Sequence, residues 1–185
     1  MADTTNFRNG FTMKLDGELY TMVEFQHVKP GKGGAFVRTR LKSLSSGNVI
    51  DRTFRSGDKV DDVRVEKREM QFLYAEGDEF HVMDKESYEQ IVVSRGLIGE
   101  AAGLLQESAT VYVLIAEDRP IGLELPNFVE LKVTFTEPGV KGDTATGSVK
   151  PATVETGAVV SVPLFVNQGD VLKIDTRTCA YVERV

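Results

Sequence analysis

The chain of 185 residues contains no tryptophan, one cysteine and two histidines. A lone cysteine, Cys179, excludes an intrachain disulfide and a zinc site built from several cysteines. No apolar run reaches the length of about 18 residues that a membrane-spanning helix needs. The first ten residues also lack the apolar segment of a secretory signal. We therefore expect a cytoplasmic protein with no membrane association and no bound metal.

Residues that build catalytic sites are sparse as well. No Gly-x-Ser-x-Gly motif is present, and the spacing of Gly31-Lys32-Gly33 does not fit the phosphate-binding loop of an ATPase. His81 lies in the apolar run F-H-V-M, which predicts a side chain packed on or in a sheet. His27 precedes a basic segment. Two roles stay open for it, a structural one and contact with RNA. We expect no enzymatic activity and no cofactor.

Short β-type runs separated by Gly, Asp, Asn and Pro fill most of the chain. Such spacing is typical of small β-sandwiches and barrels. The runs that carry this prediction are Leu19–Gln26, Ala35–Leu41, Phe72–Ala75, Phe80–Met83, Thr110–Ala116, Val129–Phe135, Ala158–Val162 and Val171–Asp175. Helical signal is limited to Ser87–Val92 and Gly99–Gln106. The fold class predicted is all-β.

Charge divides the chain into three parts. Residues 1–65 carry a net charge of +3, residues 66–130 carry −9, and residues 131–185 carry none, within a total of −6. A Leu-Pro-Asn sequence also separates two β-type runs at Leu125–Asn127. Together with the charge division, this break predicts three domains, 1–65, 66–128 and 129–185. Units of this size are near the minimum that folds alone, and closed barrels suit them because closure removes exposed strand edges. The basic first domain is where we expect an anionic partner.

The most basic segment surrounds Lys32. No Asp or Glu occurs from Phe25 through Ile50, and the cations and turn residues expected to contact phosphate are Lys29, Pro30, Gly31, Lys32, Gly33, Gly34, Arg38, Arg40 and Lys42. Residues 20–28 and 36–41 are predicted to pair, with a type II turn at residues 29–32, so that Lys32 stands at a hairpin tip. Alternation places Arg38, Arg40 and Lys42 on one face. A solvated glycine-rich tip without a ligand is the alternative.

Five segments of this chain closely resemble bacterial elongation factor P. They are K-P-G-K-G-G-A-F-V-R around Lys32, P-N-F-V-E-L at 126–131, G-D-T-A-T-G-S-V-K-P-A at 142–152, E-T-G-A-V-V-S-V-P-L-F-V-N-Q-G-D at 155–170, and the ending I-D-T-R-T-C-A-Y-V-E-R-V. The resemblance covers the whole chain without a large gap. It departs at Cys179, where a small residue, often Gly, is usual.

The resemblance implies a fold and a function. It implies three β-barrel domains, the first SH3-like (KOW-like) and the next two OB folds, in an L-shaped arrangement similar to tRNA. It implies a monomeric translation factor whose partners are the 70S ribosome and peptidyl-tRNA. Such a factor binds between the peptidyl and exit sites and relieves stalling at consecutive prolines by positioning the CCA end of peptidyl-tRNA.

The resemblance also assigns roles to residues. Lys32 matches the lysine that many members extend with β-lysine or an aminopentanol chain, which implies a lysine-modifying enzyme as a further partner. Members modified by rhamnose carry Arg there, so that chemistry is disfavoured. Gly142, Asp143, Thr144 and Gly147 match the loop that approaches the exit-site codon.

Two alternatives stay open at this point. A free-standing binder of single-stranded nucleic acid would use aromatic platforms within basic charge on its OB barrels; the −9 charge of the middle segment opposes it. A divergent paralogue with another stalling preference would be expected to lose the Lys-Pro-Gly-Lys pattern, which this chain retains.

Overall fold

The computed structural model describes residues 1–139 and 147–185, and within that part the chain is almost entirely β-structure. Its contacts define one compact unit of residues 1–67 and 114–121, and a second of residues 68–113 and 122–185. The all-β class expected from the short apolar runs is confirmed. The domain boundaries proposed at residues 65 and 128 stay predictions.

A six-stranded sheet forms the first part of the chain. Its strands, in the spatial order β1-β6-β2-β3-β4-β5, are β1 Ala2–Asp3, β2 Thr12–Leu15, β3 Glu18–Val28, β4 Phe36–Ser43, β5 Val49–Arg55 and β6 Lys59–Asp62. A short 3-10 helix, Thr4–Asn6, follows β1 and is capped by the Asp3 carboxylate. The sheet curves around a core of Phe7, Phe11, Met13, Met22, Val37, Leu41, Phe54 and Val60. Each fully buried large side chain contributes about 1.5–3 kcal/mol relative to exposure.

Two five-stranded sheets follow. The central sheet contains β7 Glu66–Glu76, β8 Glu79–Asp84, β9 Gln90–Ser94, β10 Thr110–Ala116 and β11 Arg119–Glu124; the last contains β12 Phe128–Thr136, β13 Val149–Val154, β14 Val159–Pro163, β15 Val171–Asp175 and β16 Ala180–Arg184. In both, the first strand is in the middle, with the second and third on one side and the fourth and fifth on the other. This shared order is that of a five-stranded OB barrel.

The connection between β9 and β10 holds the other helical residues of the described part of the chain. Helix α1, Arg95–Ile98, continues into a 3-10 helix, Gly99–Leu104. The helical signal expected at residues 99–106 is therefore present. Leu104 from this segment packs into the core around Leu131, Val162 and Leu172.

The helical turn expected at Ser87–Val92 is wrong. The Asp84 carboxylate accepts hydrogen bonds from the backbone N–H groups of Glu86 and Ser87, at 2.8 and 3.1 Å, and closes a tight turn. Tyr88 adopts a positive φ of 60°, which ends any helical continuation. The chain then pairs as β9 with β8, from Met83↔Gln90 to Glu79↔Ser94. Local capping chemistry and sheet pairing outweigh a weak helical pattern here.

Cys179 lies in the turn before β16. Its φ of 57° is in the left-handed region, which explains why a small residue without Cβ is favoured at this position. The side chain is half-buried and packs against the last core. Burial is the main cause that raises the pKa of its thiol.

Candidate nucleic-acid interface

The basic segment forms a long antiparallel hairpin. Strands β3 and β4 pair from Tyr20↔Ser43 to Val28↔Phe36, and residues 29–35 connect them. The predicted pairing of residues 20–28 with 36–41 is confirmed. Lys32 lies in the middle of the connection and is exposed, as are Lys29 and Pro30.

The type II turn predicted at residues 29–32 is wrong. Such a turn requires a positive φ at Gly31, whereas the positive φ of the tip, 108°, belongs to Gly33. The chain bends over residues 31–33 before it returns to β4. A Cβ on Gly31 or Gly34 would meet open space, so only Gly33 is restricted to glycine by its backbone conformation.

Alternation along β4 separates cations from core residues. Arg38, Arg40 and Lys42 are exposed, while Val37, Thr39, Leu41 and Ser43 are buried. The Thr39 hydroxyl satisfies its hydrogen-bonding capacity by donating to the Arg52 carbonyl oxygen at 2.7 Å. The predicted row of three cations on one face is therefore present; its contact with phosphate stays a prediction.

A β-bulge in β3 decides which side chains stand beside this row. The pairing shifts between Met22↔Leu41 and Glu24↔Arg40, and Val23 is left exposed at the bulge. An extra residue reverses the alternation of the strand that follows it. Glu24 and Gln26 consequently lie opposite Arg40 and Arg38 on the exposed face.

Arg40 lies between two carboxylates. Its Nη1 is 3.7 Å from Glu24 Oε2, and its Nε is 3.5 Å from Asp51 Oδ1. All three side chains are more than half exposed, so each ion pair contributes about 1 kcal/mol at most. The pairs nevertheless lower the positive potential that Arg40 presents to an anion.

Arg38 has different surroundings. Its guanidinium lies 5.5 Å from the centre of the half-buried Phe36 ring, an arrangement that leaves its charge in place. Within residues 1–139 and 147–185, no ion pair is found for Arg38, Lys29, Lys32 or Lys42. A groove of about 410 Å³ runs beside Arg38 and Arg40 and includes Gln26 and Thr53. The charge available to an anion thus lies at Lys29, Lys32, Arg38 and Lys42.

Glu24 and Asp51 were not identified from the sequence as part of this surface. A signal for them exists, because they are the two acids that bound the acid-free stretch from Phe25 through Ile50. Strand register brings both onto Arg40, in the middle of that stretch. His27, which was left open, is exposed and contacts the Phe25 ring edge-on at 5.7 Å.

The second predicted contact segment is described only in part. Gly142, Asp143 and Thr144 lie outside the described residues, and Gly147 is exposed with a φ of 99°. Gly139, which precedes this segment, packs so closely that a Cβ would approach the Leu164 carbonyl oxygen to 2.9 Å. Lys150 of β13 is buried, and its Nζ donates a hydrogen bond to the Glu137 carbonyl oxygen at 2.6 Å.

Neither a membrane-crossing helix nor a metal-binding group is apparent in the described part of the chain. No helix there is long and apolar enough to cross a membrane. No group of three or more His, Cys, Asp or Glu side chains there could hold a metal ion.

A barrel with a basic hairpin, followed by two sheets of OB order, defines a class of multidomain β-barrel proteins whose first domain presents cations on a hairpin. Family models match the chain in three segments: the elongation factor P (EF-P) KOW-like domain at residues 3–60, the elongation factor P (EF-P) OB domain at 65–123, and the elongation factor P C-terminal domain at 129–184. The chain belongs to the elongation factor P family. It is a translation elongation factor.

Individual relatives agree over the full length. The chain is 54% identical to elongation factor P of Pelotomaculum thermopropionicum and to that of Carboxydothermus hydrogenoformans, with all of each chain covered. A solved structure titled eukaryotic translation initiation factor 5A from Methanococcus jannaschii superposes with a TM-score of 0.54 at 23% identity. That match covers 68% of this chain and 90% of the other, and it supports the fold alone.

Proposed function

We propose that this chain binds the ribosome between the peptidyl and exit sites and stimulates peptide-bond formation at consecutive prolines. The observation that carries the proposal is the position of Lys32: an exposed lysine in the middle of a hairpin tip, with no ion pair among the described residues. Membership of the elongation factor P family supports the ribosome as the site of action.

The tip acts by positioning and carries out no chemistry of its own. Proline is a restricted donor and acceptor because its ring fixes φ. Ordering the CCA end of peptidyl-tRNA lowers the entropic part of the barrier to the ribosome's reaction. A lysine on a long, flexible stem contacts backbone phosphate and sugar without reading sequence. Lys29, Arg38 and Lys42 hold the hairpin against the same RNA backbone.

Lys32 is also the residue we propose as the substrate of a lysine-modifying enzyme. The open space around Gly31 and Gly34 leaves room for an enzyme to approach the side chain. A modifying group lengthens the reach of Lys32 toward the reacting ends. The intact mass of the native protein, compared with the mass of the unmodified sequence, tests this step.

The decisive experiment measures peptide-bond formation on a Pro-Pro-Pro template with wild type, Lys32→Ala and Lys59→Ala. Lys59, an exposed lysine of β6, is the matched control for loss of one positive charge. We expect acceleration by wild type and Lys59→Ala, and a loss of at least about tenfold for Lys32→Ala. A template without consecutive prolines should show little dependence on any variant. No acceleration by wild type would refute the function, whereas full activity of Lys32→Ala would refute only the role of the tip.

A further inference from the structure

The exposed face of the central sheet carries an aromatic and apolar surface. Tyr74, His81 and Val92 lie side by side on β7, β8 and β9, and Met83 lies on the same face of β8. Tyr74 and Val92 are 46% and 44% exposed, too much for residues that serve the core alone. We call Tyr74, His81, Met83 and Val92 the central aromatic face.

His81 makes this face unusual. Its ring stacks on Tyr74 with centroids 4.4 Å apart and an interplanar angle of 16°. Its Nε2 atom is buried yet has no hydrogen-bond partner among the described residues. A buried atom is out of reach of a ligand on the surface, so His81 contributes its stacked ring, and not Nε2, to this face.

Acids border the central aromatic face at the end nearest the β7–β8 turn. Glu76 and Glu79 pair across the strands two positions beyond the Tyr74–His81 pair, and Asp78 lies between them in sequence. The nearby cation, Arg95, is held by Asp78 at 3.3 Å and lies over the Phe80 ring. The potential at this rim is therefore negative, in agreement with the −9 net charge of residues 66–130.

OB barrels bind ligands across their second and third strands and the loop between the first and second. In the central sheet these elements are β8, β9 and the turn at Gly77–Asp78, which coincide with the central aromatic face and its rim. Nucleic-acid-binding OB barrels surround their stacking platforms with basic charge, because the ligand is a polyanion. The rim here has the opposite sign.

We propose that the central aromatic face is a docking site for a basic, arginine-containing segment of a partner protein. A guanidinium stacks on the Tyr74 ring and pairs with the carboxylates of Glu76 and Glu79. An apolar side chain of the segment covers Val92 and Met83. Tyrosine and arginine are the residue types most often found at the energetic centre of protein interfaces.

The test titrates the full-length protein with a labelled short peptide of alternating arginine and valine. Parallel titrations use a glutamate–valine peptide and a short single-stranded oligouridylate. We expect binding of the basic peptide alone, weakened about tenfold or more by Glu76→Lys with Glu79→Lys, and about threefold or more by Tyr74→Ala. The matched control, Glu86→Lys with Glu107→Lys, makes the same charge change at exposed acids outside the rim formed by Glu76, Asp78 and Glu79, and should weaken binding less than about twofold.

The two histidines provide a second readout. Addition of the basic peptide should shift the ring-nitrogen NMR signals of His81, while those of His27, on the first barrel, stay in place. If Glu86→Lys with Glu107→Lys lost as much affinity as Glu76→Lys with Glu79→Lys, the effect would be one of net charge alone, and the proposal would be overturned. Preferential binding of the oligouridylate, unchanged His81 signals, or self-association abolished by Tyr74→Ala would also overturn it.

Discussion

Arg38 and Arg40 stand two residues apart on one exposed row but differ in the charge around them. Arg40 has Glu24 and Asp51 within 3.7 and 3.5 Å, whereas Arg38 lies over the Phe36 ring. A carboxylate neighbour must be displaced or tolerated when phosphate approaches, and an aromatic neighbour need not be. The two arginines therefore contribute unequally to RNA contact.

This difference gives a prediction for single substitutions. Arg38→Ala should weaken binding to ribosomes that hold peptidyl-tRNA by about tenfold at low salt, and Arg40→Ala by about twofold or less. Glu24→Gln with Asp51→Asn should strengthen binding, and should make Arg40→Ala as costly as Arg38→Ala. Equal losses from the two single arginine variants in the wild-type background would contradict the argument.

How far the sequence predicts this row depends on the range of the interaction. The alternation of Arg38, Arg40 and Lys42 with uncharged residues is local, and it was predicted correctly. The neighbours of Arg40 come from β3 and β5, and their approach depends on the bulge at Val23 and on the register of both pairs. A one-residue shift in either strand would place a different side chain beside Arg40. Local pattern does not contain that information.

At the scale of the element, one side chain adds to the backbone hydrogen bonds that close the β8–β9 hairpin. Asp84 accepts backbone hydrogen bonds from Glu86 and Ser87, and these bonds lower the pKa of its carboxyl group below the ordinary value. Because the folded-state pKa is depressed, the stabilisation is complete above the unfolded-chain value of about 3.9. It is lost as pH falls through the lower folded-state pKa.

We therefore predict that Asp84→Asn lowers the urea midpoint of unfolding at neutral pH, and that the difference from wild type shrinks in acid below that folded-state pKa. Glu86→Gln removes a charge from the same turn without removing a hydrogen bond seen among the described residues, and should change the midpoint little at either pH. An NMR titration of the Asp84 carboxyl carbon measures the depressed pKa directly. If the difference in urea midpoint between wild type and Asp84→Asn did not change with pH, the stabilising role given to the Asp84 carboxylate would be contradicted.

The same turn and the hairpin tip show why element boundaries are harder to predict than element types. Residues 87–92 carry a weak helical pattern, but Asp84 and the pairing of β9 outweigh it. At the tip, Pro30-Gly31 is the residue pair typical of a type II turn. However, Gly31, Gly33 and Gly34 lie close together in this loop, and the positive φ is found at Gly33. Where several glycines share a loop, local rules do not select which one takes the strained conformation.

At the scale of the whole molecule, the net charge of −6 alone would predict repulsion from RNA. The distribution of charge predicts the opposite for one surface, since Lys29, Lys32, Arg38 and Lys42 project from a stretch without acids and Arg40 is the member held by carboxylates. Four available cations that each displace a counterion should give a slope of about −3 in a plot of log affinity against log salt.

Salt dependence of binding to ribosomes that hold peptidyl-tRNA measures that slope, at constant Mg²⁺. We expect the combined variant Lys29→Ala, Arg38→Ala, Lys42→Ala to reduce its magnitude by about two to three, because each lost phosphate contact removes slightly less than one counterion. The control Lys59→Ala, Arg119→Ala, Lys132→Ala removes the same charge from exposed positions outside the row and should leave the slope unchanged. If net charge governed binding, both variants would change the slope equally. Only a localised basic surface makes the two variants differ.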